Sequence, residues 1–150
     1  MNLNKDMFTV KAKVHEGWKK GNPDVEETWV KGCLIIAEDR KNEMQYRVQP
    51  TQGHYYFAFP IDPETICRPT GQKDKVENPI YEHDKCFVEG SGVDYEDGLF
   101  EVLWDEETSR FVLSGQGLVL DFDNTYGYEC TVMGNAYDNP ELEMEEKEVE

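Results

Sequence analysis

Short runs in which apolar and polar residues alternate are the feature that most constrains how this chain folds. Residues 8–14 place Phe, Val, Ala and Val between polar neighbours, and this period of two is typical of a strand with one buried face. Further alternating or apolar runs occupy 29–37, 44–48, 86–88, 100–104, 110–113, 118–122 and 130–133. Residues 62–65 indicate only a turn or a single helical turn capped by Asp62. We therefore predict an all-β fold.

Turn residues divide the predicted strands into two small β lobes. The polar stretch 70–79 contains Gly71 and Asn78 and ends at Pro79, which is typical of a connector. Residues 1–69 then form an N-terminal β lobe. Residues 80–142 form a C-terminal lobe whose five short strands favour a small closed or half-closed barrel. Residues 143–150 form a short acidic tail.

The charge of the chain restricts the partners that it can bind. The 150 residues are 38% hydrophobic and 12% aromatic, which is enough for one compact unit or for two small lobes that share a core. They include 15 Lys and Arg against 32 Asp and Glu, a formal net charge of −17. This charge repels phosphate backbones and anionic membranes. We therefore expect no direct binding to nucleic acid and none to membranes.

The acidic residues are concentrated in the C-terminal part. Residues 1–90 contain 15 acidic and 13 basic side chains, a net charge of −2, whereas residues 91–150 contain 17 acidic side chains and two bases, Arg110 and Lys147, a net charge of −15. Six of the last ten residues are Glu, which is usual for a solvated end. Within the folded part we expect an acidic interaction surface made of Asp94, Glu96, Asp97, Glu101, Asp105, Glu106 and Glu107.

Targeting and redox signals favour the cytoplasm of the bacterial host cell. No apolar segment follows Met1 as it does in a signal peptide, and no apolar stretch approaches the 18 residues of a membrane span. The four cysteines, Cys33, Cys67, Cys86 and Cys130, are therefore expected to be reduced in a soluble protein.

One motif invites an enzymatic interpretation. An apolar strand followed by Asp121-x-Asp123-x-Thr125 resembles the nucleophile motif of haloacid-dehalogenase-type phosphotransferases. There the first carboxylate attacks phosphorus, the second acts as acid and base, and Mg²⁺ offsets the charge. Only 25 residues follow Thr125, too few for the α/β domain that this motif opens. We therefore favour a strand and turn and expect no enzyme, with a Mg-dependent phosphatase as the least favoured alternative.

Metal binding and a ligand platform are the other candidate sites. His83-x-x-Cys86 has ligand spacing, and Cys67 or Cys130 would have to approach from another strand. Free cysteines are more often small core residues, so we expect neither metal nor cofactor. Aromatic rings lie on both faces of one predicted strand, at Tyr55, Tyr56, Phe57 and Phe59. We favour one face in the core and the other under a lobe interface, over a ligand platform.

Several short segments resemble a known family when they are taken together. Residues 132–142 and 74–84, with Trp29-Val30-Lys31-Gly32, Thr70 to Asp74 and Trp104 to Glu107, are similar in order and kind to the YopX-like family of phage and prophage proteins. The resemblance extends from about Trp29 to Leu142. It implies a Src-homology-3-type barrel in the C-terminal part and a phage setting, and it names no activity.

The residues that carry this resemblance are expected to be structural: Gly71, Lys73, Asp74, Tyr81, Asp84, Trp104, Gly134, Asn135, Asn139 and Pro140. Trp104 ends a strand where its ring can close a barrel, and 134–140 is expected to fold back over the barrel. The resemblance implies Gly at the position of His83, so we do not expect a strict glycine conformation there.

These observations lead to two binding hypotheses. The first is a non-enzymatic accessory protein of a phage that binds or assembles with another protein. Its N-terminal lobe would support a homo-oligomer, and its acidic lobe would face a partner with a basic surface. The alternative is an acidic inhibitor that imitates DNA and occupies a host defence or replication protein. Imitation requires carboxylates in rows at phosphate-like spacing.

Overall fold

The computed structural model describes residues 7–53, 57–90, 95–122 and 129–142. The chain divides into two compact units, Met1–Pro69 and Thr70–Glu150. The strands observed in each unit confirm the all-β prediction. No helix in these ranges has the length and apolar character needed to span a membrane.

The first unit is built on a four-stranded sheet with the order β1-β2-β3-β4, in which all neighbours are antiparallel. Its elements are β1 (Val10–Lys13), α1 (Glu16–Lys20), β2 (Trp29–Glu38), β3 (Met44–Pro50), β4 (Phe59–Pro60) and a 3-10 helix (Pro63–Thr65). The alternation in residues 10–14 orients the sheet: Ala12 and Val14 are buried with Val30, Val48, Phe59 and Ile61, and Lys11 and Lys13 lie on the other face.

Two short helical segments, α1 and the 3-10 helix, adjoin the strands in the described part of this unit. The side chain of His15 accepts a hydrogen bond from the Trp18 amide at 3.1 Å and so caps α1. The 3-10 helix agrees with the predicted helical turn, but the side chain of Asp62 does not cap it. Instead, the Thr65 hydroxyl donates to the Asp62 carbonyl at 2.6 Å and accepts from the Lys13 amide at 2.9 Å. This helix is thereby fixed to β1.

The aromatic segment 54–59 only partly forms a strand. Tyr55 and Tyr56 lie outside the described residues, and β4 contains just two residues. Phe59 is fully buried, while Phe57 is about half exposed and its ring centre lies 4.9 Å from that of Phe59. Trp18 packs edge-on against Phe59 at 5.9 Å. Phe59 thus supplies the core side chain of this segment.

The second unit contains two sheets. Its elements are β5 (Pro69–Lys73), β6 (Pro79–Tyr81), β7 (Asp84–Val88), β8 (Gly98–Asp105), β9 (Arg110–Gly115), β10 (Leu118–Asp121) and β11 (Cys130–Asn135). Strands β5 and β6 pair with each other, so the predicted connector 70–79 contains most of β5 and the turn before β6. The other five strands form an antiparallel sheet with the order β10-β9-β8-β7-β11.

The core of the second unit lies on one face of the five-stranded sheet. It consists of Ile80, Cys86, Val88, Tyr95, Phe100, Val102, Leu113 and Cys130. Strands β10 and β11 form the two edges of this sheet, and they do not pair with each other in the described part of the chain. No closed barrel is formed there, and the predicted Src-homology-3-type barrel is not confirmed.

Candidate functional site

Asp74 lies in the turn between β5 and β6 and connects that turn to β11. Its Oδ1 accepts hydrogen bonds from the amides of Val76 at 3.0 Å and Asn78 at 2.8 Å, and its Oδ2 accepts one from the Val132 amide at 3.0 Å. Burial raises the pKa of Asp74, but these donors together outweigh burial and the pKa lies below its ordinary value. The carboxylate is therefore a charged structural acceptor.

Asp84 organises the next turn, at the start of β7. Its buried carboxylate accepts a hydrogen bond from the amide of Tyr81, itself buried, at 2.8 Å. Within this turn His83 has a φ of +69°, in the left-handed region that favours glycine. The expectation that a glycine conformation is not kept at this position is therefore wrong. The histidine adopts that conformation, and its amide donates to the Val102 carbonyl at 2.7 Å.

The imidazole of His83 lies between acidic side chains. Its Nδ1 is 3.3 Å from Oε2 of Glu101, and its Nε2 is 4.0 Å from Oε2 of Glu82. The ring of Tyr137 meets it edge-on at 5.6 Å. Cys86, in contrast, is fully buried in the core. Among the residues that the structure describes, no three His, Cys, Asp or Glu side chains are grouped so that they could hold a metal ion.

All four cysteines are free thiols in different environments. Cys33 is exposed, and Cys67, Cys86 and Cys130 are buried. The thiol of Cys67 donates to the Thr65 carbonyl at 3.3 Å. A hydrogen bond with Cys130, together with burial, raises the pKa of Cys86 well above its ordinary value. Cys86 is therefore a protonated core residue at neutral pH.

The segment after β11 folds into a compact hydrogen-bonded turn. Oδ1 of Asn135 accepts from the amides of Tyr137 at 3.0 Å and Asp138 at 2.9 Å. Oδ1 of Asn139 accepts from the Asn135 amide at 3.2 Å. A Cβ at Gly134 would lie 2.4 Å from that same Oδ1, so only glycine allows the two segments to approach this closely. Asn135, Asp138 and Asn139 thus each have a hydrogen bond within the turn.

Lys85 holds this turn against β7, although the sequence pattern did not single it out. Its Nζ donates to the carbonyls of Asn139 at 2.8 Å, Leu142 at 2.7 Å and Pro140 at 3.4 Å. The side chain is 5% exposed. In the sheet register Lys85 lies opposite Glu101 of β8, and such an opposite-charge pair stabilises a sheet. The local sequence does not predict that Lys85 is buried, because the residues that cover it follow more than 50 positions later.

The remaining motif residues are Gly71, Lys73, Trp104 and Pro140. Gly71 has a φ of +81° with open space around it, so its backbone conformation and not its size requires glycine. Lys73 is exposed at the end of β5, and Pro140 is exposed after β11. Trp104 is partly buried, and its ring meets Phe111 edge-on at 5.0 Å.

The predicted acidic surface is split between the two ends of β8. Glu96 and Asp97 precede this strand, Asp105 is its last residue, and Glu106 and Glu107 follow it. Eight residues at about 3.3 Å each separate the two groups by roughly 26 Å. Glu101 lies between them and belongs to the cluster around His83, and Asp94 lies outside the described residues. The carboxylates are therefore not gathered into one row.

The β8–β9 turn presents one of these two groups. Oδ2 of Asp105 accepts from the Thr108 hydroxyl at 2.8 Å, and Oδ1 accepts from the Glu107 amide at 3.1 Å. The Thr108 hydroxyl, followed by backbone donors, lowers the pKa of Asp105. The side chains of Glu106 and Glu107 are exposed. We call residues 105–107 the acidic tip.

The phosphatase alternative depends on Asp121 and Asp123. Asp121 belongs to β10, which forms one edge of the five-stranded sheet. Asp121 is exposed at the end of β10, and its Oδ1 is 2.6 Å from a guanidinium nitrogen of Arg110. Asp123 lies outside the described residues. The structure thus places one of the two carboxylates, in an exposed ion pair.

Comparison with known proteins identifies a family that matches most of the chain. A family model described as YopX protein matches residues 13–143. A comparison with curated proteins gives no match. The matched range includes Asp74, Asp84, Lys85 and the turn after β11, and it also includes the acidic tip.

Proposed function

Because this chain belongs to the YopX protein family, we propose that it is a phage-encoded accessory protein that binds another protein in the cytoplasm of the bacterial host. It acts without catalysis, and it self-associates. Its protein partner contacts the acidic tip through a basic surface.

The acidic tip is the observation that carries this proposal. Asp105 is fixed by two hydrogen bonds within the turn, so the exposed carboxylates of Glu106 and Glu107 are presented by an ordered backbone. Ordering a side chain or loop on binding costs free energy, which a turn that is already ordered avoids in part. The tip also lies in the acidic part of the chain, since residues 70–150 contain 22 acidic and 5 basic residues. A basic protein surface complements this charge and is attracted from a distance.

Affinity purification with matched variants tests the role of the tip. The tagged chain is expressed in host cells as the wild type, as Glu106→Gln with Glu107→Gln, and as a control with Asp24→Asn and Glu26→Gln. The control removes the same number of exposed acids from the segment between α1 and β2. At about 0.7 kcal/mol per exposed charge, the tip variant should bind its partner about tenfold more weakly.

The expected result is a set of basic proteins that is retained by the wild type and the control and depleted from the tip variant. Retention of the same proteins by the tip variant would contradict the proposed contact. The non-catalytic part is tested separately with a generic phosphate monoester. Turnover that requires Mg²⁺ and is abolished by Asp121→Asn would show that the chain is a phosphatase.

A further inference from the structure

One face of the first sheet carries basic side chains. Ala12, Val30 and Val48 are buried in the core, so the residues that alternate with them along β1, β2 and β3 project from the opposite face. The basic and aromatic side chains on that face are those of Lys11, Lys13, Trp29, Lys31 and Arg47. We call these five residues the basic face.

The basic face is positively charged although the chain as a whole is acidic. Residues 1–69 contain 10 acidic and 10 basic side chains and so have no formal net charge. Within β1, β2 and β3, which the structure describes in full, no acidic residue occupies a position on this face. The bases of the unit are therefore partly separated from its acids, and the face attracts a negatively charged partner.

The lysines of the basic face repel one another. Lys11 lies directly opposite Lys31 in the sheet register, and like charges in that arrangement destabilise a sheet. The Nζ atoms of Lys11 and Lys13 lie 5.1 and 5.5 Å from the centre of the Trp29 ring, and this ring attracts both ammonium groups. Carboxylates that contact the face would offset the remaining repulsion between Lys11 and Lys31.

The acidic tail, residues 143–150, has the complementary charge and a matching period. It contains five Glu and one Lys. Glu146, Glu148 and Glu150 occupy every second position, so in an extended segment their side chains lie on one side at intervals of about 6.6 Å. The two lysines of β1 are also two residues apart on one strand. The acidic tip has no such repeat, because its two exposed glutamates are adjacent in a turn.

We propose that the acidic tail of one copy of this chain binds, in an extended conformation, to the basic face of a second copy. The inference rests on the self-association in the proposed function and names the two surfaces that meet. Exposed ion pairs are individually weak, so the contact forms at high protein concentration and does not contribute to the melting temperature of a dilute chain. Salt weakens the contact, because it screens exposed charges.

Sedimentation at increasing protein concentration tests the basic face. Lys11→Gln with Lys31→Gln removes the two facing lysines and should raise the dimer dissociation constant about tenfold. Lys20→Gln with Lys41→Gln is the matched control, because it removes two exposed lysines elsewhere in the first unit; it should leave the constant unchanged. Equal weakening by the control would show that net charge governs association, and it would overturn the proposal.

The tail is tested in the same assay. The triple variant Glu146→Gln, Glu148→Gln and Glu150→Gln should weaken the dimer at least as much as the face variant does. Glu106→Gln with Glu107→Gln should leave the dimer intact, because the acidic tip contacts a different protein. Circular dichroism checks that every variant folds. A triple variant that dimerises like the wild type would overturn the proposal.

Cross-linking shows whether the contact joins two copies. An equal mixture of light and isotopically heavy chains is treated with a carbodiimide, which joins a lysine amine to a glutamate carboxylate as an amide. Mass analysis should find peptides of the basic face joined to peptides of the acidic tail, with a light chain linked to a heavy one. If such links occur only between peptides of the same isotope, the tail binds within its own chain and the proposal is wrong.

The two proposals fail separately. If the wild type dimerises and the face variant dimerises equally well, the self-association of the proposed function is supported and its assignment to the basic face is wrong. If the wild type stays monomeric at high concentration, the self-association and this inference are both wrong. Partner binding at the acidic tip is then still decided by its own affinity purification.

Discussion

Replacing Lys85 with methionine should destabilise the second unit by about 3 kcal/mol. Methionine retains most of the apolar stem and removes the ammonium group, whose Nζ donates to carbonyls of the C-terminal turn at 2.8, 2.7 and 3.4 Å. A hydrogen bond with a charged partner contributes about 1.5–3 kcal/mol. We count the two short bonds at about 1.5 kcal/mol each and omit the long one, because water can reach these partly exposed carbonyls.

Two measurements check this expectation. A loss of about 3 kcal/mol lowers the melting temperature of a chain of this size by roughly 6–12 °C. Amide hydrogen exchange at Asn139 and Leu142 should accelerate, since both amides donate within the turn that Lys85 holds. Lys20→Met is the control, because the side chain of Lys20 is 76% exposed, and it should change stability by no more than about 0.5 kcal/mol. If Lys85→Met melts like the wild type with unchanged exchange, Lys85 does not hold the turn.

Three further changes have defined outcomes. Trp104→Ala should lower the free energy of unfolding by about 2 kcal/mol in urea titrations. This loss is smaller than that for a fully buried Trp, because the ring is partly exposed. A variant with wild-type stability that loses a partner would show that Trp104 is a binding residue. The pKa of Asp74 is lower when folded, so its contribution to stability is complete above the unfolded value of about 3.9 and is lost as the pH falls through the folded pKa. Asp74→Asn should therefore show a smaller loss of stability than the wild type in urea titrations between about pH 5 and 2, and equal losses would refute this role. Deleting residues 143–150 should leave the melting temperature unchanged or slightly higher. The deletion removes the like charges of the acidic end, and it creates a terminal carboxylate at Leu142, whose carbonyl already accepts from Lys85. A clear drop in melting temperature would mean that the deleted residues stabilise the fold.

The alternation in the sequence predicts the strands better than their arrangement. It identifies β1, β2 and β3 and the β8–β9 hairpin, because a period of two is a local property. The position of β7 between β8 and β11 depends on pairing across more than 40 residues, which no local pattern contains. Helix α1 was not predicted: its five residues are too few for a helical period, and its cap is His15 and not one of the usual capping residues.

The motif residues were identifiable from the sequence, but their contacts were not. Asp74 is singled out by the family resemblance, whereas its bond to the Val132 amide spans 58 positions. Lys85 reads as a polar residue at the start of a strand, and only the turn that follows β11 buries it. His83 is not glycine and yet has a left-handed φ. A residue other than glycine in a turn therefore does not by itself exclude a left-handed backbone conformation.

The distribution of the four thiols gives each unit a chemical reporter of its own opening. Cys67 is buried in the first unit, and Cys86 and Cys130 are buried in the second, while Cys33 is exposed. In pulsed alkylation, Cys33 should react at once, and the other three should react only during transient opening of the unit that contains them. Mass analysis of the labelled peptides would then give a separate opening rate for each unit in the intact chain.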